Sequence, residues 1–427
     1  MPLFLALVVC ACLAASASAE TYGLGDAPGT FAHCTIAAAP GSCPASATGG
    51  YYSDPNFRAL TGPASAHRIT QVRLFVAYDA IEEYNGSPTS PGCTLSRVAQ
   101  QSWRDGAGRL HGAGQSWNDL QAGLLAARAD GLQPVVSIAG YGSPQATPSW
   151  DQPVPDTTTP AGWWEYRCGV EGVLNAVSRL PAADRPHIWE AVNEPDSFSI
   201  YNGNAASTDV SCAVVPVSDI AGAAKAACAY TLAEREIHRF AGHAGDTVIA
   251  GVFTHPTTAY LKPYAALLAA QLPGAVYPAT WAVHDYDDVT ASYVGPGSAH
   301  LRAFDQALAA DSGGGARDLW VTESGTLLTS HVVAGGCPAA GVDAAGTLGA
   351  CVNGDLARQA NDAAGFFDLP AAGTAVPITH LFWYQWAGEM NWDSGLSDGT
   401  GQLRAAWCAF YGAGACTGSP SVSRTPG

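Results

Sequence analysis

The sequence predicts an α/β fold, a (β/α)8 or TIM barrel with long, disulfide-stapled loops at its C-terminal rim. Three observations predict it. Eight short apolar runs recur along the chain, most of them followed by an amphipathic helical stretch. Most runs are continuous rather than alternating, the pattern of parallel strands covered on both faces. Two runs end in carboxylates, in Trp-Glu-Ala-Val-Asn193-Glu194-Pro195-Asp and Trp-Val-Thr-Glu323-Ser-Gly, about half a barrel apart at the usual repeat length.

The runs are Thr21–Leu24, Val72–Tyr78, Pro134–Ala139, Ile188–Val192, Thr247–Val252, Thr280–His284, Leu319–Thr322 and His380–Trp386. Between them Trp117–Ala129, Trp163–Leu180, Ala227–Ala241, Ala259–Leu272, His300–Ala310 and Leu356–Phe367 carry apolar residues at helical spacing. The loops Gly86–Trp103, Ser143–Gly162, Ser197–Asp219 and Ser330–Gly354 are rich in Gly, Pro, Ser and Thr. Each follows a strand, so each falls on the rim where barrel active sites lie.

Residues 1–19 read as a secretory signal, with an apolar stretch from Leu3 to Ala15 and a small-residue Ala17-Ser18-Ala19 cleavage site. No other segment has the run of about 18 apolar residues that a membrane helix needs. The expected organisation is a signal (1–19), one barrel (20–416) and a Ser/Pro-rich tail (417–427), exported and monomeric. Net charge is −17 with two lysines, Lys225 and Lys262. Such a surface repels nucleic acid and anionic lipid and is indifferent to a neutral polysaccharide.

Without Cys10 and Cys12 of the signal, ten cysteines remain. Proximity suggests pairing Cys34 with Cys43, Cys212 with Cys228, Cys337 with Cys351 and Cys408 with Cys416, leaving Cys93 for Cys168. None has CxxC metal spacing, and loops pinned by disulfides are expected in an oxidising compartment.

Two carboxylates at one rim are the minimum equipment for cutting a glycosidic bond. Glu194, in a partly apolar enclosure, can hold a proton for a leaving oxygen. Glu323, kept ionised by donors, can attack an anomeric carbon. Arg73, inside an apolar run, must have an acidic partner.

Asn-Glu-Pro at strand four and Glu at strand seven resemble the clan A retaining glycoside hydrolases, the (β/α)8 superfamily of cellulases, mannanases and xylosidases. The strand-one and strand-two segments are nearest to families 5 and 39. The resemblance implies a retaining β-glycosidase with Glu194 as acid/base, Glu323 as nucleophile and no cofactor or metal. It implies that Asn193 binds the sugar 2-hydroxyl, that Arg73 holds the nucleophile ionised, and that Tyr286 bonds the nucleophile while His284 meets substrate. A strand-eight tryptophan would floor the subsite; Trp386 is favoured because it is nearest the rim, and Trp383 is the alternative. Glu389, Trp392 and Asp393 follow in a loop within reach of substrate. Competing readings are a catalytically silent carbohydrate-binding barrel, an inverting hydrolase and a transglycosylase using the same glutamates. A cation held by His284 and its neighbouring aspartates is a further alternative. Motifs for esterase, zinc protease and dinucleotide chemistry are missing from the sequence.

Overall fold

In the computed structural model the eight apolar runs are the strands of one closed barrel. In chain order they are β1 (Thr21–Gly25), β2 (Ile69–Ala77), β3 (Gln133–Ala139), β4 (Ile188–Glu190), β5 (Thr247–Phe253), β6 (Thr280–His284), β7 (Asp318–Ser324) and β8 (Ile378–Tyr384). Each strand neighbours the next, and β8 pairs with β1 in parallel to close the ring. The connections carry α1 (Pro55–Thr61), α2 (Gln115–Ala129), α3 (Pro160–Ser178), α4 (Ala221–Arg239), α5 (Thr258–Gln271), α6 (Ala299–Asp311) and α7 (Asp355–Phe366), and α8 (Trp407–Tyr411) follows β8. The structure describes residues 20–25, 54–77, 81–84, 92–95, 103–104, 110–111, 115–139, 160–196, 221–254, 258–272, 274, 277–290, 299–312, 315–326, 328–330, 355–386, 392–397 and 402–412.

Burial on both strand faces explains the continuous apolar runs. Val135, Ile188, Ile249, Val252, Ala282, Trp320 and Phe382 pack together inside the barrel. The alternate residues, among them Val72, Leu74, Val136, Trp189, Val321 and Leu381, join a larger layer with helix side chains such as Leu124, Leu174, Leu308 and Phe366. Gly23 on β1 makes room for the large ring opposite: a Cβ there would stand 2.3 Å from Phe382.

On the rim, Glu82–Tyr84 pairs antiparallel with Cys93–Leu95, and the Cys93–Cys168 disulfide ties this hairpin to α3. Gly172 of α3 permits the close approach, since a Cβ there would lie 2.8 Å from Cβ of Glu82. Cys228 and Cys408 are also disulfide-bonded. Cys34, Cys43, Cys212, Cys337, Cys351, Cys416, the signal and the tail lie outside the described residues.

The two ends of the fold meet at a seam. Ala66 and His67 donate backbone N–H groups to the carbonyls of Tyr411 and Phe410, both at 3.0 Å. Ser65 Oγ also bonds the Phe410 carbonyl at 3.0 Å, and Trp407 Nε1 reaches the Asn56 carbonyl of α1 at 3.3 Å.

Three strands end two residues away from the sequence expectation. β4 stops at Glu190 rather than Val192, so Asn193 and Glu194 stand on the loop beyond it. β7 runs on to Ser324 and carries Glu323 within the strand. β8 stops at Tyr384, two residues before Trp386. Helices α1 and α8 were not expected: at seven and five residues they are too short to show an amphipathic period.

Candidate active site

Arg73 stands at the centre of the site, fully buried on β2. Its neighbours Val72 and Leu74 face the helix layer, so alternation turns Arg73 into the barrel. Nε donates to Glu190 Oε2 at 2.6 Å, one terminal nitrogen donates to Glu323 Oε1, and the other donates to Asn193 Oδ1 at 2.6 Å. Burial opposes the charge on Arg73, but Glu190 and Glu323 hold the guanidinium above its already high ordinary value. A buried cation bound by two carboxylates satisfies the demand that the sequence posed.

The sequence reading missed Glu190, which is completely buried. A signal was available: Glu190 follows inward-facing Ile188 by two residues on β4, and Arg73 needed a partner.

Glu194 lies where the chain turns away from β4, in the left-handed region at φ 47°. Its N–H donates to the Val252 carbonyl at 2.9 Å, and Val252 itself has φ 56°. Two side-chain-bearing residues in this region cost energy and persist only where their surroundings dictate it. Here the surroundings do. Tyr166 of α3 donates to the Ala191 carbonyl, Tyr260 of α5 donates to the Pro195 carbonyl at 2.9 Å, and Asp196 accepts from Thr254 N–H at 2.9 Å.

His284, at the end of β6, lies between the two glutamates. Its Nδ1 is 2.7 Å from Glu194 Oε1 and 3.4 Å from Glu323 Oε2. Burial pushes its pKa down to about 4, with Glu323 opposing and Arg73 reinforcing the shift, so the imidazole is neutral at ordinary pH. Its Nε2 is buried without a hydrogen-bond partner. Tyr286 donates to Glu323 Oε2 at 3.1 Å. One oxygen of Glu194, one of Glu323 and a ring nitrogen of His284 lie within 4.8 Å of one another.

Of the sequence candidates, Arg73, Asn193, Glu194, His284, Tyr286 and Glu323 come together. The two tryptophans do not join them. Trp383 faces the helix layer, edge-on to Phe366 of α7 and Phe410 of α8, and bonds the Ser394 carbonyl. Trp386 packs edge-on against Phe57 of α1. The expected alternation failed at Trp386 because the strand had already ended. Tyr384, two residues after inward-facing Phe382, takes the inner face at this height. Glu389 lies outside the described residues.

Two other clusters bring histidine and carboxylate together among the described residues. Behind the site, Asp285 Oδ1 bonds His300 Nδ1 at 2.8 Å, and Asp288 caps the first N–H groups of α6 at 2.9–3.2 Å. At the opposite end, where β4 and β5 begin, Asp246 accepts from His187 at 2.7 Å, His243 at 2.6 Å and Trp189 Nε1 at 2.7 Å. Burial alone would raise the pKa of Asp246, but these donors hold it below the usual carboxylate range. Such separations are those of direct hydrogen bonds, tighter than the spacing around a tetrahedral zinc with bonds of about 2.0–2.1 Å.

No family model and no curated protein matches the chain. Among solved structures it is similar to a family 39 glycoside hydrolase from Bacteroides cellulosilyticus WH2, at 14% identity and TM-score 0.49, covering 91% of this chain and 62% of that one. It is similar to the exo-β-1,4-mannosidase Op5Man5 from Opitutaceae bacterium strain TAV5, at 13% identity and TM-score 0.49, covering 92% and 58%. A Thermotoga maritima β-glucosidase matches at 10% identity and TM-score 0.47, covering 91% and 95%. The chain therefore spans less than two thirds of the first two.

Proposed function

We propose that the protein is an exported, monomeric retaining β-glycosidase acting on a poly- or oligosaccharide. The observation that carries this reading is the approach of Glu194 and Glu323 oxygens to within 4.8 Å across His284. Retaining enzymes hold their two carboxyl groups about 5–5.5 Å apart, whereas inverting ones need about 6.5–9.5 Å to admit a water.

In the first step a Glu323 oxygen attacks the anomeric carbon. The bond to the leaving oxygen breaks, and that oxygen takes the proton of Glu194. Glu194 then removes a proton from water, which attacks the same carbon and releases Glu323. Neutral His284 suits this exchange: with its proton on Nδ1 it donates to Glu194 Oε1 in both protonation states, leaving the other oxygen to carry the proton. Arg73 and Tyr286 fix Glu323 from two sides, and the amide of Asn193, anchored through its oxygen, keeps two N–H donors for a sugar hydroxyl.

Export rests on the signal-like residues 1–19. No helix among the described residues is long and apolar enough to cross a membrane. The test is a panel of aryl β-gluco-, xylo-, galacto- and mannosides and plant β-glucans, with Glu194→Gln and Glu323→Gln beside wild type. Hydrolysis by wild type alone, with NMR showing the β-anomer released first, supports the reading. Glycan binding without turnover by any form would sink it in favour of a silent binding barrel.

A further inference from the structure

We infer that Glu190 is a positioning residue whose charge pairs with Arg73 so that the covalent glycosyl-enzyme can form on Glu323. This rests on the proposed double displacement and assigns a task to a carboxylate that the two steps leave unused. Both Arg73 and Glu190 are completely buried. In the resting site Arg73 faces two carboxylates, Glu190 at 2.6 Å and Glu323. His284 adds no charge, being neutral.

During glycosylation the electron pair of the attacking Glu323 oxygen becomes the new C–O bond, the old C–O pair passes to the leaving oxygen, and Glu194 protonates it. Glu323 is then an ester and carries no charge. Without Glu190, Arg73 would at that moment lose both carboxylates that it bonds in the resting site, the balancing charge having moved to Glu194 beside His284, an unfavourable state for a buried cation. With Glu190 present, the neutral Arg73–Glu190 pair persists through the intermediate. Glu190 thus spares Glu323 from serving as the sole counter-ion of Arg73.

The geometry gives the pair an orienting role as well. Glu190 takes the Nε edge of the guanidinium, which turns the two terminal nitrogens toward Glu323 and Asn193. Glu190→Gln keeps an acceptor for Nε and removes only the charge, so it separates the two roles.

The experiment uses the 2-deoxy-2-fluoro aryl glycoside of whichever sugar the wild type hydrolyses, measuring formation and decay of the trapped ester. Glu190→Gln should slow inactivation about tenfold and speed reactivation about tenfold, because an unbalanced Arg73 favours carboxylate over ester in both directions. Glu190→Asp, which keeps the charge, should retain the wild-type decay rate. A residue that only supports the fold would lower the melting temperature and move both rates the same way. Parallel slowing, or unchanged rates in a folded Glu190→Gln, would overturn the inference, as would accelerated decay in Glu190→Asp should Glu190→Gln not fold. Wild type that turns over substrate with inversion, or carries no label on Glu323, would overturn the double displacement itself, and the role of Glu190 with it.

Discussion

The two ends of the barrel hold buried polar clusters of opposite character. At the floor, where β4 and β5 begin, three N–H donors from His187, Trp189 and His243 converge on the two oxygens of Asp246. At the rim, Glu190 and Glu323 share one cation, and Glu190 Oε1, Asn193 Nδ2 and His284 Nε2 are left buried without partners. The floor has one such orphan in this cluster, His243 Nε2. Orphaned polar atoms cost stability, and backbone strain at Glu194 and Val252 adds to that cost. The floor is arranged to hold the fold, and the rim keeps polar groups that the fold itself does not use.

Substitutions should separate the two. The largest effect is expected on catalysis: Glu323→Ala should lose a thousandfold or more of activity, to an extent typical of lost catalytic groups. Its fold should survive, because Arg73 keeps Glu190. Azide should restore part of the rate and give an α-configured product. Full activity would erase the functional half of the comparison.

Arg73→Met is expected to be the most destabilising change, about 3–5 kcal/mol by denaturant unfolding, since Glu190 and Glu323 would face each other in the interior without a cation. Asp246→Ala should cost about 2–4 kcal/mol by stranding buried donors, with kcat/KM unchanged. Activity lost in proportion to stability there would show the floor to be coupled to the site.

The subtlest expectation is a difference in pH window. His284 has a folded pKa of about 4 against 6.5 ordinarily, and burial does the same to His380. The folded state binds fewer protons than the unfolded one between these values, so stability falls as pH drops from about 6.5 toward 4. Asp246 is depressed below its ordinary 3.8, so its contribution is intact above that and is lost only at lower pH. Unfolding between pH 7 and 5 should therefore report buried imidazoles rather than the Asp246 carboxylate, with a smaller pH effect in His284→Asn and in His380→Asn than in wild type.

The barrel was legible in the sequence because eight parallel strands buried on both faces must be apolar throughout, and the turn-rich segments between them mark their ends. Glu194 and Glu323 were legible because a carboxylate directly after such a run is conspicuous. Glu190 was not, since it sits inside a run read as apolar, and only its pairing with an arginine more than a hundred residues earlier explains it. The strand-eight tryptophans show the converse error. Their composition suggested a sugar platform, but alternation within the strand sends Trp383 outward to α7 and α8, and the strand's end at Tyr384 leaves Trp386 to pack on α1. Alternation fixes a face only while the strand lasts.

The seam between the first and last units bears on how the molecule is made. Ser65, Ala66 and His67 bond residues 410 and 411, and β1 pairs with β8. On a ribosome these contacts must wait until nearly the whole barrel has been synthesised. Until then β1 has an open edge, and inner-face residues on the nascent side have nothing to close over them. Completion of the last strand and α8 is thus the event that seals the barrel. The same seam should be where the finished protein breathes, with amide protons at β1 and residues 65–67 exchanging ahead of those in β3 to β6.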